Sequence, residues 1–139
     1  MAKRKVEIKI LNYGIYDQFN HDDEDLPGLI EFSEKIPARL DIEFGMTVDI
    51  RKARGEIIQW RIDHPAFLDS SGELAPPFEG EFHVNSPEYK FFLGDTVWEP
   101  IDDKLGVWEL TVSWQGNVLA RKKLWLVSNQ EYIKSTYNL

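Results

Sequence analysis

The sequence predicts an all-β domain, built as a two-sheet antiparallel β-sandwich of about eight strands. Apolar and polar residues alternate along most of the chain, as they do in half-buried strands. Clusters of turn-forming residues separate these runs at regular spacing, and no run keeps a helical period over a convincing length. Short, evenly spaced strands are typical of sandwiches and of barrels, so closure into a barrel stays open as an alternative.

The clearest strand spans residues 40–50. Its apolar residues occupy every even position, namely Leu40, Ile42, Phe44, Met46, Val48 and Ile50. Successive strand side chains point to opposite faces of a sheet. We therefore expect the even positions to face a core and the odd positions to face water.

The N-terminal strand carries a change of phase. Its apolar residues occupy even positions up to Ile10 and odd positions from Leu11 onward. A β-bulge explains this change, and so does a crossing from one sheet to the other, because an uninterrupted strand would expose one apolar set. The next strand is predicted over residues 30–36, with Glu34 where a further apolar residue would fit.

The middle of the chain predicts three shorter strands. Their apolar residues are Ile58, Trp60 and Ile62, then Phe78, Phe82 and Val84, then Tyr89, Phe91 and Leu93. A long turn-rich connection, marked by Pro65 and Pro76-Pro77, separates the first two strands. A loop over residues 94–105 leads from the third strand to the final hairpin.

The strongest hairpin signal lies near the C-terminus. Its inward row comprises Trp108, Leu110, Val112 and Trp114. A two-residue turn on Gly116-Asn117 would direct two cations toward that row. A three-residue loop over residues 115–117 directs only Lys122 toward it and pairs Glu109 with Lys123. We favour the second register, because one lysine stem can be buried while its ammonium group reaches water.

The chain is predicted to form one domain over residues 1–139, because no repeat or linker divides it and its length suits a single core. Residues 1–5 form a basic N-terminal tail and residues 128–139 a C-terminal extension. Beyond Val127 the alternation fades. The extension is therefore predicted to be an edge segment or a frayed tail.

Composition argues against several classes of function. The formal net charge of −8 repels nucleic acids and anionic membranes, so neither is an expected partner. The chain has no cysteine, which removes disulfides and thiolate metal sites, and no cofactor is expected. Recurring charges over residues 3–9 do not suit a signal peptide, so a cytoplasmic location is expected.

A set of short motifs runs through most of the chain in order. They are Ile36-Pro37-Ala38-Arg39-Leu40 with Phe44-Gly45, Trp60-Arg61 with His64-Pro65, Gly106-x-Trp108-x-x-x-Val112, and Leu119-Ala120-x-Lys122. With these motifs the chain resembles a bacterial family, the domain-of-unknown-function family numbered 3859, from about Val6 to Val127. The resemblance implies an immunoglobulin-like sandwich. It implies no activity, ligand or site residue.

The acidic loop that contains Asp22, Asp23 and Asp25 is a weak candidate for binding a divalent cation. Its adjacent side chains diverge and lack the alternating ligands of an EF-hand, so we favour a solvated loop. Residues 79–83 present two glutamates and His83 on one strand face. Successive positions there are too far apart for chelation without ligands from another strand.

No recognised catalytic spacing is present in the sequence. There is no nucleophile elbow, no zinc-binding helix motif and no glycine-rich phosphate loop. His64 lies where a strand is predicted to end, a position that catalytic sites often use, but its ring can equally pack against the turn. We therefore predict that the chain is not an enzyme.

Three residues are candidates for contact with a partner: Trp125, Trp98 and Lys123. The favoured hairpin register places Trp125 outward beside Lys123, and an exposed Trp can bind a partner or stack on a sugar. Apolar residues of the C-terminal extension also need a place to pack. On balance we expect Tyr132, Ile133 and Tyr137 to cover the sheet face around Trp125.

These observations favour a non-catalytic module that binds another protein or a second copy of itself. The alternative is a small-ligand module that recognises a carbohydrate or a divalent cation through Trp98, Trp125 or the loop over residues 22–25.

Overall fold

The computed structural model describes residues 5–17 and 26–137, which form nine β-strands and one α-helix. One sheet has the order β2-β1-β4-β7. Its strands are β1 Glu7–Tyr16, β2 Leu29–Phe32, β4 Glu43–Arg51 and β7 Glu88–Thr96. The other sheet has the order β3-β9-β8-β5-β6. Its strands are β3 Lys35–Pro37, β5 Ile57–Asp63, β6 Phe78–His83, β8 Gly106–Trp114 and β9 Asn117–Val127.

The two sheets pack face to face around one core, which confirms the predicted sandwich. Each strand belongs to one sheet only, so the alternative of a closed barrel is not realised. All described pairings are antiparallel except that of β3 with β9, which is parallel. The core is filled by the inward residues of β4, β5, β8 and β9.

Strand β4 confirms half of its prediction. Its even positions are fully buried in the core, but four of its odd positions, Gly45 and three polar residues that were expected in water, are buried too. Glu43, Thr47 and Asp49 are 6%, 5% and 8% exposed. Leu40, predicted to begin this strand, precedes it and is exposed.

The odd positions of β4 are covered by aromatic side chains from the strands on either side. Gly14, Gly45 and Gly94 lie side by side on β1, β4 and β7. The Phe92 ring lies over Gly94, where a Cβ would be 2.6 Å from Phe92 Cζ, and it meets the Tyr16 ring with centroids 4.8 Å apart. Bare backbone thus makes room for two large rings, which close the outer face of the four-stranded sheet.

The change of phase in β1 is a β-bulge. Its pairing with β4 shifts between Ile10 and Asn12, so Leu11 is the extra residue and is exposed. The crossing between sheets, considered as the alternative, occurs later. The single strand predicted over residues 30–36 is divided into β2 and β3, which belong to different sheets. Ile30 and Phe32 are 67% and 57% exposed, because β2 is a short edge strand.

The hairpin of β8 and β9 has the predicted register. Glu109 pairs with Lys123, and Lys122 faces inward opposite Leu110. The connection differs from the three-residue loop, because Gln115 and Gly116 alone form the turn, with φ of 50° and 79°. Positive φ at both positions is typical of a type I′ turn. A β-bulge near the start of β9 restores the register.

The C-terminal extension is helical rather than an edge segment or frayed tail. Helix α1 spans Asn129–Tyr137, and Ser128 caps it by accepting a hydrogen bond from the Glu131 N–H at 3.1 Å. The sequence Ser128-x-x-Glu131 is a capping-box pattern that could have predicted this start. None of the described helices is long and apolar enough to cross a membrane.

Candidate functional site

Trp125 lies on the outer face of the five-stranded sheet, as its parity predicted. On β9 it pairs with Lys35 of β3 on one side and with Val107 of β8 on the other. Its backbone N–H donates to the carbonyl oxygen of Glu34 at 2.8 Å, which fixes the strand against the start of β3. The residue is 37% exposed, so part of the indole faces solvent.

A groove of about 520 Å³ lies beside this indole, between β3 and helix α1. We call it the Trp125 groove. It is lined by Ser33, Glu34, Lys35, Trp125, Tyr132, Ser135 and Thr136. The groove therefore places two aromatic side chains next to hydroxyl groups and two charges of opposite sign.

Tyr132 forms the inner wall of the groove and fastens the helix to the body of the domain. It is buried, and its hydroxyl group donates to the carboxylate of Glu31. Burial raises the pKa of the Tyr132 hydroxyl, and the hydrogen bond and charge of Glu31 raise it further. The wall is thus a protonated phenol held in one position.

The C-terminal extension lies beside Trp125 and leaves 37% of this residue exposed. Tyr132 turns into the core, whereas Ile133 is itself 37% exposed. The side chain of Tyr137 lies outside the described part of the chain. Helical periodicity explains the difference, since adjacent residues of a helix point in different directions and cannot all lie over one sheet position.

The positive charges around the groove differ in how they are paired. Lys122 points inward, where its Nζ lies 2.9 Å from Glu34 Oε1 and 3.9 Å from the centroid of the Tyr13 ring. Lys123 is exposed, and its Nζ lies 3.9 Å from Glu109. Lys35 makes no ion pair with any described residue. Lys35, which lines the groove, is therefore available to an acidic group.

The structure does not bring Trp98 together with Trp125. Trp98 packs between the sheets, with its ring edge-on to Phe67 and Trp108, so it lies on the opposite side of the five-stranded sheet. Its ring also lies 4.8 Å from Nζ of Lys104. Trp98 thus helps to enclose a buried cation rather than offering a free surface.

Lys104 is a buried cation that the sequence pattern did not indicate. It is only 2% exposed, and its Nζ donates to the carbonyl oxygen of Pro100 at 2.9 Å and to Asp103 at 2.6 Å. The Phe67 ring lies 4.5 Å away on another side. Because the ammonium group is paired, hydrogen-bonded and surrounded by rings, Lys104 holds the loop before β8 in place.

His64 does not form a catalytic arrangement. Its Nδ1 and Nε2 each lie 2.8 Å from a backbone carbonyl oxygen, those of Pro65 and Pro76. Its ring also packs against Phe67 and Phe78. Both nitrogens are occupied by the turn, which fits the packing role considered for this residue.

No metal site is found in the part of the chain that the structure describes. None of its His, Asp and Glu side chains gather in groups of three or more that could hold an ion. On β6, Glu79 instead pairs with Arg61 at 3.2 Å. The acidic loop with Asp22, Asp23 and Asp25 lies outside the described residues.

Comparison with known proteins gives a family and a fold. The model of a family described as "Domain of unknown function (DUF3859)" matches residues 4–125. The chain also resembles the crystal structure of an immunoglobulin-like protein from Pseudomonas aeruginosa, with 21% identity and a TM-score of 0.72. That match covers 91% of this chain and all of the other, so it shows an immunoglobulin-like fold.

Other solved structures are much less similar. A β-glucosidase from Listeria innocua is 12% identical with a TM-score of 0.45, and the match covers 88% of this chain but 16% of the enzyme. A Pseudomonas fluorescens alkylpurine DNA glycosylase is 12% identical with a TM-score of 0.42, covering 91% and 32%. Neither likeness bears on function. No curated protein matches the chain.

Proposed function

Because the chain belongs to the DUF3859 family of domains of unknown function, whose description assigns no activity, we propose a function from the groove itself. The domain binds a segment of a partner protein at the Trp125 groove. The observation that carries this proposal is the 37% exposure of an indole at the wall of a groove of about 520 Å³. Tryptophan is enriched among residues that dominate protein interfaces.

The charges at the rim indicate the chemistry of the partner. Lys35 and Lys123 flank the Trp125 position; Lys35 makes no ion pair with a described residue, and the Nζ of Lys123 lies 3.9 Å from Glu109. An apolar side chain packed on the indole, with an acidic side chain beside it, would satisfy both features. The chain is acidic overall, so a second copy also supplies carboxylates, and self-association is one form of this proposal.

Selection of peptides from a random library against the intact chain tests the proposal. We expect the selected peptides to place an apolar residue next to Asp or Glu. Their affinity should fall at least about tenfold for Trp125→Ala, which removes the anchor. The charge reversal Lys35→Glu should weaken the acidic peptides selectively.

A matched control lies on the same outer face. Ile57 is exposed at the other end of that face, where it pairs with His83. Ile57→Ala should leave peptide affinity unchanged. Light scattering over a range of concentrations would reveal self-association, which Trp125→Ala should abolish. Equal peptide affinity and equal mass for wild type and Trp125→Ala would contradict the proposal.

The second candidate function is carbohydrate binding at the same groove. Its support is the set of hydroxyl groups from Ser33, Ser135 and Thr136 beside the indole, since sugars stack on aromatic rings and exchange hydrogen bonds with polar groups. A thermal-shift series with neutral sugars separates the two candidates. A melting temperature that rises with a sugar, and does not rise for Trp125→Ala, would favour this function.

We further propose that the domain is not an enzyme. The support is that both nitrogens of His64 are occupied by backbone carbonyls and that no catalytic spacing occurs in the sequence. The cytoplasmic location expected from the sequence and divalent-cation binding by residues 22–25 remain predictions.

A further inference from the structure

A second recess lies on the far side of the sandwich from the Trp125 groove. There β7 and β6 are the free edges of their sheets. The recess measures about 420 Å³, and its lining includes Trp60, Phe91, Asp95 and Glu43. Its volume falls within the usual range for a small-molecule site, roughly 300 to 1,000 Å³. We call it the Asp95 slot.

Trp60 lines the slot with an indole that has no polar partner. It pairs with Gly80 of β6, where a Cβ would lie between 2.6 and 2.8 Å from three indole atoms. The indole therefore lies flat on bare backbone. Its Nε1 makes no hydrogen bond with a described residue, whereas the indoles of Trp108 and Trp114 each donate one.

Asp95 lines the slot with a carboxylate that is only half satisfied. Its Oδ1 accepts a hydrogen bond from the Thr96 N–H at 2.8 Å, and Oδ2 accepts none from the described residues. Burial raises the pKa of the Asp95 carboxyl, against the opposing effects of the Thr96 N–H and of His64. A carboxylate that has lost water in this way gains most from a ligand that donates to it.

The charge of the slot is negative and its walls are aromatic. Among the described residues that line it, none is a lysine or an arginine. Glu43 adds a second carboxylate, which accepts a hydrogen bond from the Thr96 hydroxyl group. Phe91 contributes a ring that is stacked on Phe82 and therefore held in place. An aromatic surface next to a carboxylate suits an organic cation.

We propose that the Asp95 slot binds a small organic ammonium ion. The ammonium group donates to Oδ2 of Asp95, and the adjoining carbons lie on the indole of Trp60. A neutral sugar could also stack on Trp60 and donate hydroxyl groups to Asp95. The ammonium ion is favoured because the two ionisable side chains that line the slot, Glu43 of β4 and Asp95 of β7, are both acidic.

The test is a titration of the full chain with n-butylammonium chloride, followed by the indole N–H signals in proton–nitrogen NMR spectra. The chain has five Trp, and Trp60→Phe identifies the signal of Trp60. We expect that signal to move while the signal of Trp125 does not. The neutral compounds 1-butanol and glucose, at the same concentrations, should move it far less.

Variants separate charge from shape. Asp95→Asn keeps the shape and should weaken n-butylammonium binding at least about tenfold. It should remain folded, because burial already disfavours the charged form. Gly80→Ala should displace the indole and weaken binding with Asp95 intact. Trp125→Ala, which alters the other groove, should bind n-butylammonium as the wild type does.

Two results would overturn the proposal. One is unchanged n-butylammonium affinity in folded Asp95→Asn. The other is a shift of the Trp60 signal by 1-butanol or glucose that equals the shift by n-butylammonium. Neither result bears on peptide binding at the Trp125 groove, because the two recesses share no lining residue.

Discussion

The two outer faces of the sandwich follow the same alternation but reach different degrees of burial. On the four-stranded sheet, the outward residues Glu43, Thr47 and Asp49 of β4 are buried. On the five-stranded sheet, the outward residues of the central strand β8 keep contact with solvent, and Val107 is 40% exposed. One face is a second packed layer, and the other is a wet surface of ion pairs with one exposed Trp.

The difference arises from residues on neighbouring strands. Phe92 folds over Gly94 and meets the ring of Tyr16 because no side chain occupies the space above Gly94. The outer face of β8 has no such gap, since its outward residues all carry side chains. Parity therefore sets the direction of a side chain, but the residues two strands apart determine whether water reaches it.

Gly45→Ala should have the largest effect, because Gly45 lies against the backbone of β7 in the row of glycines beneath the packed face. A Cβ at this position would lie 2.3 Å from the Leu93 carbonyl oxygen and 2.6 Å from Gly94 Cα. Both atoms belong to backbone and cannot rotate away. We expect the free energy of unfolding to fall by about 3 kcal/mol or more, measured by urea denaturation.

The control for this substitution is an outward residue of β8. Ser113→Ala removes a small side chain from the wet face and should change stability by less than about 0.5 kcal/mol. A loss below about 1 kcal/mol for Gly45→Ala would mean that the sheet can shift to accept a side chain. The row of glycines would then not be the cause of the packed face.

The sequence predicted the fold correctly where the alternation of apolar and polar residues along a strand determines which side chains are buried. The even residues of β4 and the inward Lys122 follow from alternation within one or two strands, and so does the phase change at Leu11, for which a bulge was one of two explanations. The buried odd residues of β4 did not follow. Their burial depends on contacts between β1 and β7, which are far apart in sequence and touch only across β4.

A phenylalanine at position 16 should have an intermediate effect that changes with pH. The Tyr16 hydroxyl donates to Asn12 and accepts from Thr47 Oγ1 at 3.3 Å. At neutral pH, Tyr16→Phe should lower the free energy of unfolding by about 1 kcal/mol, as expected for the loss of buried hydrogen bonds.

The pH dependence follows from the pKa of the Tyr16 hydroxyl, which burial raises above its usual value near 10.0, although Thr47 opposes this. A raised pKa stabilises the folded state below pH 10, and this contribution is lost as pH rises through the folded-state pKa. The advantage of wild type over Tyr16→Phe should therefore shrink above pH 10 in urea denaturation. A stability difference between wild type and Tyr16→Phe that stayed constant above pH 10 would mean that water solvates the Tyr16 hydroxyl in the folded protein.

The sequence indicated one of the two recesses but not the other, again because alternation along a strand gives only the direction of a side chain. Trp125 was found as a site candidate because its outward direction follows from the hairpin register alone. The Asp95 slot was not found, because Trp60 and Asp95 both have inward parity and belong to different sheets. Their meeting at a free edge requires knowledge of how the sheets are placed, which no local pattern contains.

Lys123→Ala should have the smallest effect, because it changes the wet face only. The Lys123 side chain is 57% exposed, and its Nζ lies 3.9 Å from Glu109 Oε2. An exposed pair at this distance should contribute less than about 0.5 kcal/mol. A double-mutant cycle with Glu109→Ala, repeated in high salt, measures the pair alone. Coupling above about 1 kcal/mol would mean that this face excludes water as the other does, and that exposure does not distinguish the two sheets.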